Sequence, residues 1–216
     1  MLTFPNLIKV VSFIIFFYLS TLSSAFSTAS YDGVTFQGSF NQPYGIEFNN
    51  DGSKMFILDK KASKVFTYAL STAYDSSSAG GLQHTMNLAS NQHMDITFNN
   101  NGTKVYFVDQ NQDTVIEYPL SSAYDLSSAG TATNTNISAQ ANRASGITFN
   151  NDGTKMYIAD SDSAVSGNTG NDVVIEYSLS SAYDTSDPTY VRLFNVTNSL
   201  SNPVSYTHLR AHETSK

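Results

Sequence analysis

The stretch Tyr44-Gly-Ile-Glu-Phe-Asn-Asn-Asp-Gly-Ser-Lys-Met-Phe56 returns as Met94-Asp-Ile-Thr-Phe-Asn-Asn-Asn-Gly-Thr-Lys-Val-Tyr106. It returns a second time as Ser145-Gly-Ile-Thr-Phe-Asn-Asn-Asp-Gly-Thr-Lys-Met-Tyr157. Its Phe anchors stand at 48, 98 and 149, in steps of 50 and 51 residues. Two more segments follow in the same order each time. One is Val65-Phe-Thr-Tyr68, Val115-Ile-Glu-Tyr118 and Val174-Ile-Glu-Tyr177. The other is Ser71-Thr-Ala-Tyr-Asp75, Ser121-Ser-Ala-Tyr-Asp125 and Ser180-Ser-Ala-Tyr-Asp184. Three segments repeated three times in one order make each copy a structural unit.

Each unit reads as four short strands. The first covers 45–48 and its equivalents. An Asn-Asn-Asp-Gly or Asn-Asn-Asn-Gly turn then supplies the positive φ of a tight hairpin. In the second strand, Lys54, Phe56 and Leu58 alternate with Met55 and Ile57. The Val-x-x-Tyr signature marks the third, and 82–88, 132–137 and 190–196 the fourth. No stretch keeps a helical period. Charged residues make up only 13% of the chain and aromatic ones 12%, which suits strands and polar turns and excludes a coiled coil. With no cysteine there is no disulfide scaffold, thiolate metal site or cysteine nucleophile. Four-stranded units of this length are the sequence form of β-propeller blades, and repeats this close argue against a sandwich with accidental similarity. The expected fold is all-β: a partial β-propeller with blades at about 44–90, 94–140 and 145–198, plus an extra N-terminal strand at 34–40.

The stretch Gly146-Ile-Thr-Phe-Asn-Asn-Asp-Gly-Thr-Lys-Met-Tyr-Ile-Ala-Asp160 resembles the blades of YVTN and NHL repeat propellers, and is similar to those of gluconolactonase-like propellers. The resemblance covers about 34–203. It implies a closed ring, with the N-terminal strand completing the last blade and removing a sheet edge. Three blades are fewer than the usual four to eight, so the sequence reads as part of a larger propeller. The gluconolactonase-like enzymes hold a divalent metal at the channel mouth through Glu, Asn and Asp. Here Ser145 stands where that Asn would precede Gly146, and Glu47 lies in a strand of a different unit.

Both ends stand outside the repeat. Residues 1–25 read as a secretory signal: Lys9 near the start, an apolar run over 10–19, then Ser23 and Ala25 before a cleavage site. That run is shorter than the ~20 residues of a membrane span. Residues 204–216 carry none of the repeat's anchors and resemble the conceptual translation of a transposon-type sequencing adapter. His208, His212 and Glu213 there imitate a zinc helix, and are expected to belong to no site.

Candidate site residues follow from where the units diverge. Hairpin turns and Tyr-Asp corners are constant; the loops leading into the first strand, and those between second and third strands, vary. Any ligand is expected on the variable face, at Tyr44, Glu47, His93, Asp95, Arg143 and Ser145. Glu47 and Asp95 replace the Thr and Gly of the other units and are expected to point to the channel or its rim, with His93 an ordinary loop histidine beside them. Asp59, Asp109 and Asp160 occupy one repeat position and are expected to cap turns. The third such loop is eight residues longer and collects oxygen ligands suited to Ca²⁺, with Asp160, Asp162 and Asp172 as its carboxylates.

No nucleophile elbow, phosphate loop or metalloprotease helix occurs. A net charge of −7 disfavours nucleic acid as a partner. The function expected is a non-catalytic binding or scaffolding module, exported to the periplasm, cell surface or medium. Its partner would be a protein, a glycan or a small molecule, and Ca²⁺ is the one cofactor in view. The rival is a gluconolactonase-like metal-dependent hydrolase.

Overall fold

The computed structural model describes residues 38–165 and 171–196. The first unit forms β1 (Pro43–Phe48), β2 (Lys54–Asp59), β3 (Lys64–Leu70) and β4 (Ala79–Asn87). The second forms β5 (His93–Phe98), β6 (Lys104–Asp109), β7 (Thr114–Pro119) and β8 (Thr133–Asn136). The third forms β9 (Ala144–Phe149), β10 (Lys155–Asp160), β11 (Val173–Ser178) and β12 (Thr189–Asn195). Each unit is a separate antiparallel sheet with its strands in chain order, so the described residues make three blades of a β-propeller. Strand 34–40 is not borne out over the residues described: 38–40 form no strand, and 34–37 lie outside them. The signal and the adapter-like tail also lie outside them.

The second strand is apolar on both faces. In the middle blade each face meets a neighbouring blade. In the first blade the face away from the second, with Met55 and Ile57, packs with Phe40, Phe48 and Phe66. Equal registers repeat the arrangement: Ile46, Ile57 and Phe66 stand abreast in the first blade, and Ile96, Phe107 and Ile116 in the second. One face of the first blade, with Phe56, Leu58 and Val65, packs onto Ile96, Phe98, Val105 and Phe107 of the second. Tyr106, Val108 and Val115 on the far face of the second blade pack onto Ile147, Met156 and Ile158 of the third. Two ring pairs mark the same point of both interfaces, Phe56 to Phe98 at 4.7 Å and Tyr106 to Phe149 at 4.6 Å.

The sequence motif predicts six buried aromatics, and three of them, Tyr68, Phe98 and Tyr177, are buried. Phe48, Tyr118 and Phe149 are only half-buried. Tyr118 differs from its counterparts because β8 is short. Tyr68 stands opposite Leu82 and Tyr177 opposite Tyr190, whereas the β7–β8 register ends at Glu117 and Thr133.

The hairpin turn and the Tyr-Asp corner lock together in every blade. Gly52, Gly102 and Gly153 have φ of 69°, 70° and 69°, and a Cβ there would meet the ring of Tyr74, Tyr124 or Tyr183 within 2.4 Å. These tyrosines are themselves left-handed, with φ of 60°, 54° and 60°. Their amides donate to the glycine carbonyls at 2.8–3.0 Å, and the following Asp75, Asp125 and Asp184 cap the turn. The left-handed corner carbonyl accepts a lysine from the preceding blade: Lys54 to Tyr124 at 3.0 Å and Lys104 to Tyr183 at 2.9 Å. A blade's own turn thus carries part of its joint to the blade before it.

Candidate functional site

On the variable face, one aspartate per blade organises both loops. Asp59 accepts the amides of Asn41 (2.5 Å), Gln42 (3.0 Å) and Ala62 (2.9 Å). Asp109 accepts the Ser90 hydroxyl at 2.5 Å and the amides of Asn111 and Gln112 at 3.0 Å each. Asp160 accepts Asn142 and Arg143 through Oδ2 (3.0 and 2.9 Å) and Asp162 through Oδ1 (2.8 Å). The predicted turn-capping role is therefore present, and it is wider than predicted, because each carboxylate also ties the loop before the first strand to the loop after the second. Burial pushes the Asp59 carboxyl up, yet the amides of Ala62, Asn41, Gln42 and Lys61 outweigh it and hold it below the usual carboxylate range.

The side chains presented on this clamped backbone differ between blades. Tyr44 is 41% exposed and lies under the Lys60 ammonium, 4.8 Å from its ring centroid. It also lines an apolar cleft of about 260 Å³ with Phe40, Pro43, Ile46 and Ile57. Arg143 is exposed, and Ser145 is half-buried with its hydroxyl 3.3 Å from the Ala159 carbonyl. Among the described residues, no hydrogen bond, ion pair or ring contact joins Tyr44 to Arg143.

Three sequence candidates sit elsewhere than expected. His93 opens β5 and is 2% exposed, so it is no loop residue; its Nδ1 is 2.9 Å from the Ser90 carbonyl, and its ring stands edge-on to Phe107. Burial pushes its pKa down, against the opposing effects of that carbonyl and of Asp109. Asp95 is 1% exposed, accepts its neighbour Ile96 through Oδ1 at 2.9 Å, and accepts Ile147 of the next blade through Oδ2 at 3.0 Å. Glu47 is 4% exposed, with Oε1 3.2 Å from the Phe48 amide. The repeat pattern points an acid that replaces Gly or Thr toward the channel; both acids are drawn instead into the interior of the blades.

For Ca²⁺, Asp160 spends both oxygens on backbone amides, and Asp162 Oδ2 accepts the Asn142 side chain at 2.8 Å. Asp172, the third expected carboxylate, stands on the same loop, whose residues 166–170 lie outside those described. Among the described residues, no three His, Asp or Glu side chains converge as a metal set, and no helix is long and apolar enough to cross a membrane.

No family model matches the sequence, and no curated protein matches it. Solved structures do match the fold. A 6-phosphogluconolactonase-like protein from Bacteroides uniformis ATCC 8492 aligns at 16% identity over 73% of this chain and 45% of its own, with a TM-score of 0.51. A 6-phosphogluconolactonase-like protein from Bacteroides fragilis NCTC 9343 aligns at 14% identity over 78% and 45%, with a TM-score of 0.50. The β-propeller domain of Cps50 (Swd1) from Myceliophteria thermophila aligns at 12% identity over 70% and 42%, with a TM-score of 0.44. The chain thus spans less than half the length of these structures, and what it shares with the two 6-phosphogluconolactonase-like ones is the fold.

Proposed function

We propose that this chain is part of an exported β-propeller that acts as a binding or scaffolding module through its variable loop face. One observation carries the reading: the Asp59, Asp109 and Asp160 clamps hold one loop frame in three blades while the side chains on it change. A rigid frame with exchangeable side chains is a recognition surface, as loops on a fixed scaffold are elsewhere. Tyr44 beneath the Lys60 ammonium, and Arg143, are the contacts offered to a protein, glycan or small-molecule partner. Ca²⁺ in the loop of Asp162 and Asp172 would order that face further. Secretion follows from the signal-like 1–25 segment.

The second reading is a sugar-lactone hydrolase. The fold likeness to the 6-phosphogluconolactonase-like structures favours it, with the rest of its site in further blades. Purified protein assayed on a glycan array and on 6-phosphogluconolactone, with and without Ca²⁺, separates the two. The binding reading expects array signal that Tyr44→Ala or Arg143→Ala reduces, and no lactone turnover. Turnover above the spontaneous rate, insensitive to those variants, overturns it.

A further inference from the structure

The third residue of the Val-x-x-Tyr signature is Thr67, Glu117 and Glu176 in the three blades. In the second blade the Glu117 carboxylate is 2.6 Å from Lys104 Nζ, and it accepts the amide and hydroxyl of Thr185 from the third blade at 3.0 and 2.9 Å. In the third blade Glu176 is gripped by two cations, Lys155 Nζ at 2.6 Å and Arg192 Nε at 2.7 Å. Both copies place a carboxylate against the lysine that opens the second strand.

The first blade keeps the grip and lacks the carboxylate. Lys54 still donates to the corner carbonyl of Tyr124 at 3.0 Å, as Lys104 does to Tyr183, but among the described residues it forms no ion pair. His84 stands directly across from Thr67, at the register position that Arg192 holds across from Glu176. Between them opens a cavity of about 260 Å³, lined by Lys54, Thr67, His84, Tyr124, Asp125 and Leu126 among others. Thr67 in its wall is 5% exposed, and its hydroxyl has no hydrogen-bond partner. Replacing Glu by Thr has removed a carboxylate and left its cation and its space behind.

We propose that this cleft between the first and second blades binds a short aliphatic monocarboxylate, which supplies from solution the group that Glu117 and Glu176 supply from the chain. The carboxylate meets the Lys54 ammonium and a His84 ring N–H, the charge-assisted contacts that carry most of the affinity. Its alkyl body lies against Leu126 and Tyr124. Leu126 replaces Thr185, so the hydroxyl donor of the filled copy gives way to an apolar wall. The volume is about nine times a water molecule's share of the liquid, which is room for a carboxylate with a short alkyl body. Asp125 does not bar the ligand: its Oδ1 caps Ser127 at 3.0 Å, and its counterpart Asp184 stands beside the filled Glu117 slot in the same role. The site lies beside the constant Tyr-Asp corner, away from the variable loops, and is independent of the reading above.

The test titrates the protein with sodium propionate against sodium chloride at equal ionic strength, following the Lys54 and His84 side-chain resonances by NMR. Saturable shifts at both residues are expected, and sodium phosphate should not reproduce them. Thr67→Glu should remove the response and raise the melting temperature by restoring the internal carboxylate. Lys54→Met should weaken propionate by about tenfold or more, the worth of one hydrogen bond to a charged group. Thr67→Val, which leaves the cavity open, should keep it. Absence of saturation in the wild type, equal binding of phosphate, or undiminished binding in Lys54→Met or in a folded Thr67→Glu would overturn the proposal.

Discussion

The carboxylate of Asp95 in β5 accepts the amide of Ile147 in β9 at 3.0 Å, a hydrogen bond from the innermost strand of one blade to the innermost strand of the next. Both residues are buried, so the bond forms where water cannot replace it. The corresponding residue in the other blades is glycine, Gly45 or Gly146, which has no side chain to offer. This joint is therefore peculiar to the second and third blades.

Removing it should be costly. Asp95→Ala leaves the Ile147 amide without its acceptor in a dry interface, a loss of roughly 1–3 kcal/mol. Asp95→Asn keeps an oxygen at the same reach and should lose less. Urea unfolding of the three proteins reads the order directly, and an Ala variant as stable as the wild type would show that the bond contributes nothing.

The turn glycines make a second case. Gly102→Ala forces an L-residue to a φ of 70° and puts its Cβ 2.3 Å from the Tyr124 ring. The backbone part alone costs roughly 1–2 kcal/mol, and the ring must also leave its seat. A Cβ at Gly81, in β4, would meet nothing within 4 Å, so Gly81→Ala is expected to be near neutral. Thermal melts of the pair should differ by several degrees; equal melts would mean that the corner tolerates displacement of its tyrosine.

How far can these features be read from the sequence? The blades can, because period, turn glycines and strand alternation are local and occur three times. The aspartate clamps are legible as turn caps, since a carboxylate next to amides in a loop has few other roles; their second grip, on the loop before the first strand, joins residues some 17 or 18 positions apart and needs the fold. Asp95 and Glu47 depart from the sequence expectation for one reason. In a propeller both faces of an inner strand meet a neighbouring blade, so an acid there need not face solvent, and the partner of Asp95 lies about 50 residues away. The Thr67 substitution is plain in the signature, but its meaning depends on Lys54, His84 and the space they share.

Buried His93 gives a pH prediction. Burial lowers its pKa in the folded protein, while the unfolded chain takes up the proton near 6.5. Between these values the unfolded state binds more protons, so stability rises with pH there and falls as pH drops below 6.5. His93→Gln should flatten the slope of unfolding free energy between pH 6.5 and about 5, a range above the titration of most carboxylates. The slope is the readout, because the substitution also changes packing against Phe107. An unchanged slope would place the proton-linked group elsewhere.

The aromatic interface tests the blade packing itself. Phe98 is 2% exposed, 4.7 Å from Phe56 in the preceding blade and 5.1 Å from Tyr124 in its own. Phe98→Ala should cost roughly 3–5 kcal/mol. Phe48 is half-buried, with no blade before it among the described residues, and its truncation should cost clearly less. Equal losses at the two positions would mean that the inter-blade contact adds nothing to the packing within a blade.

Glu117 joins the second and third blades as Asp95 does, but through charge. Its side chain is 9% exposed and Lys104 is 27% exposed, so water screens the pair only in part. Breaking a fully buried ion pair from one side costs roughly 3–5 kcal/mol, and the exposure of Lys104 lowers the expectation for Glu117→Gln to about 2–3 kcal/mol. Part of that comes from Thr185, which is fully buried and gives both amide and hydroxyl to the same carboxylate oxygen. Lys104→Met should cost less than Glu117→Gln, because the carboxylate keeps its two Thr185 donors when the lysine leaves. The double variant separates the terms: a coupling energy above about 0.5 kcal/mol assigns the difference to the ion pair. Strict additivity would assign it to Thr185 alone, and Thr185→Val, which keeps the amide, should then reproduce the hydroxyl's part of the Glu117→Gln loss.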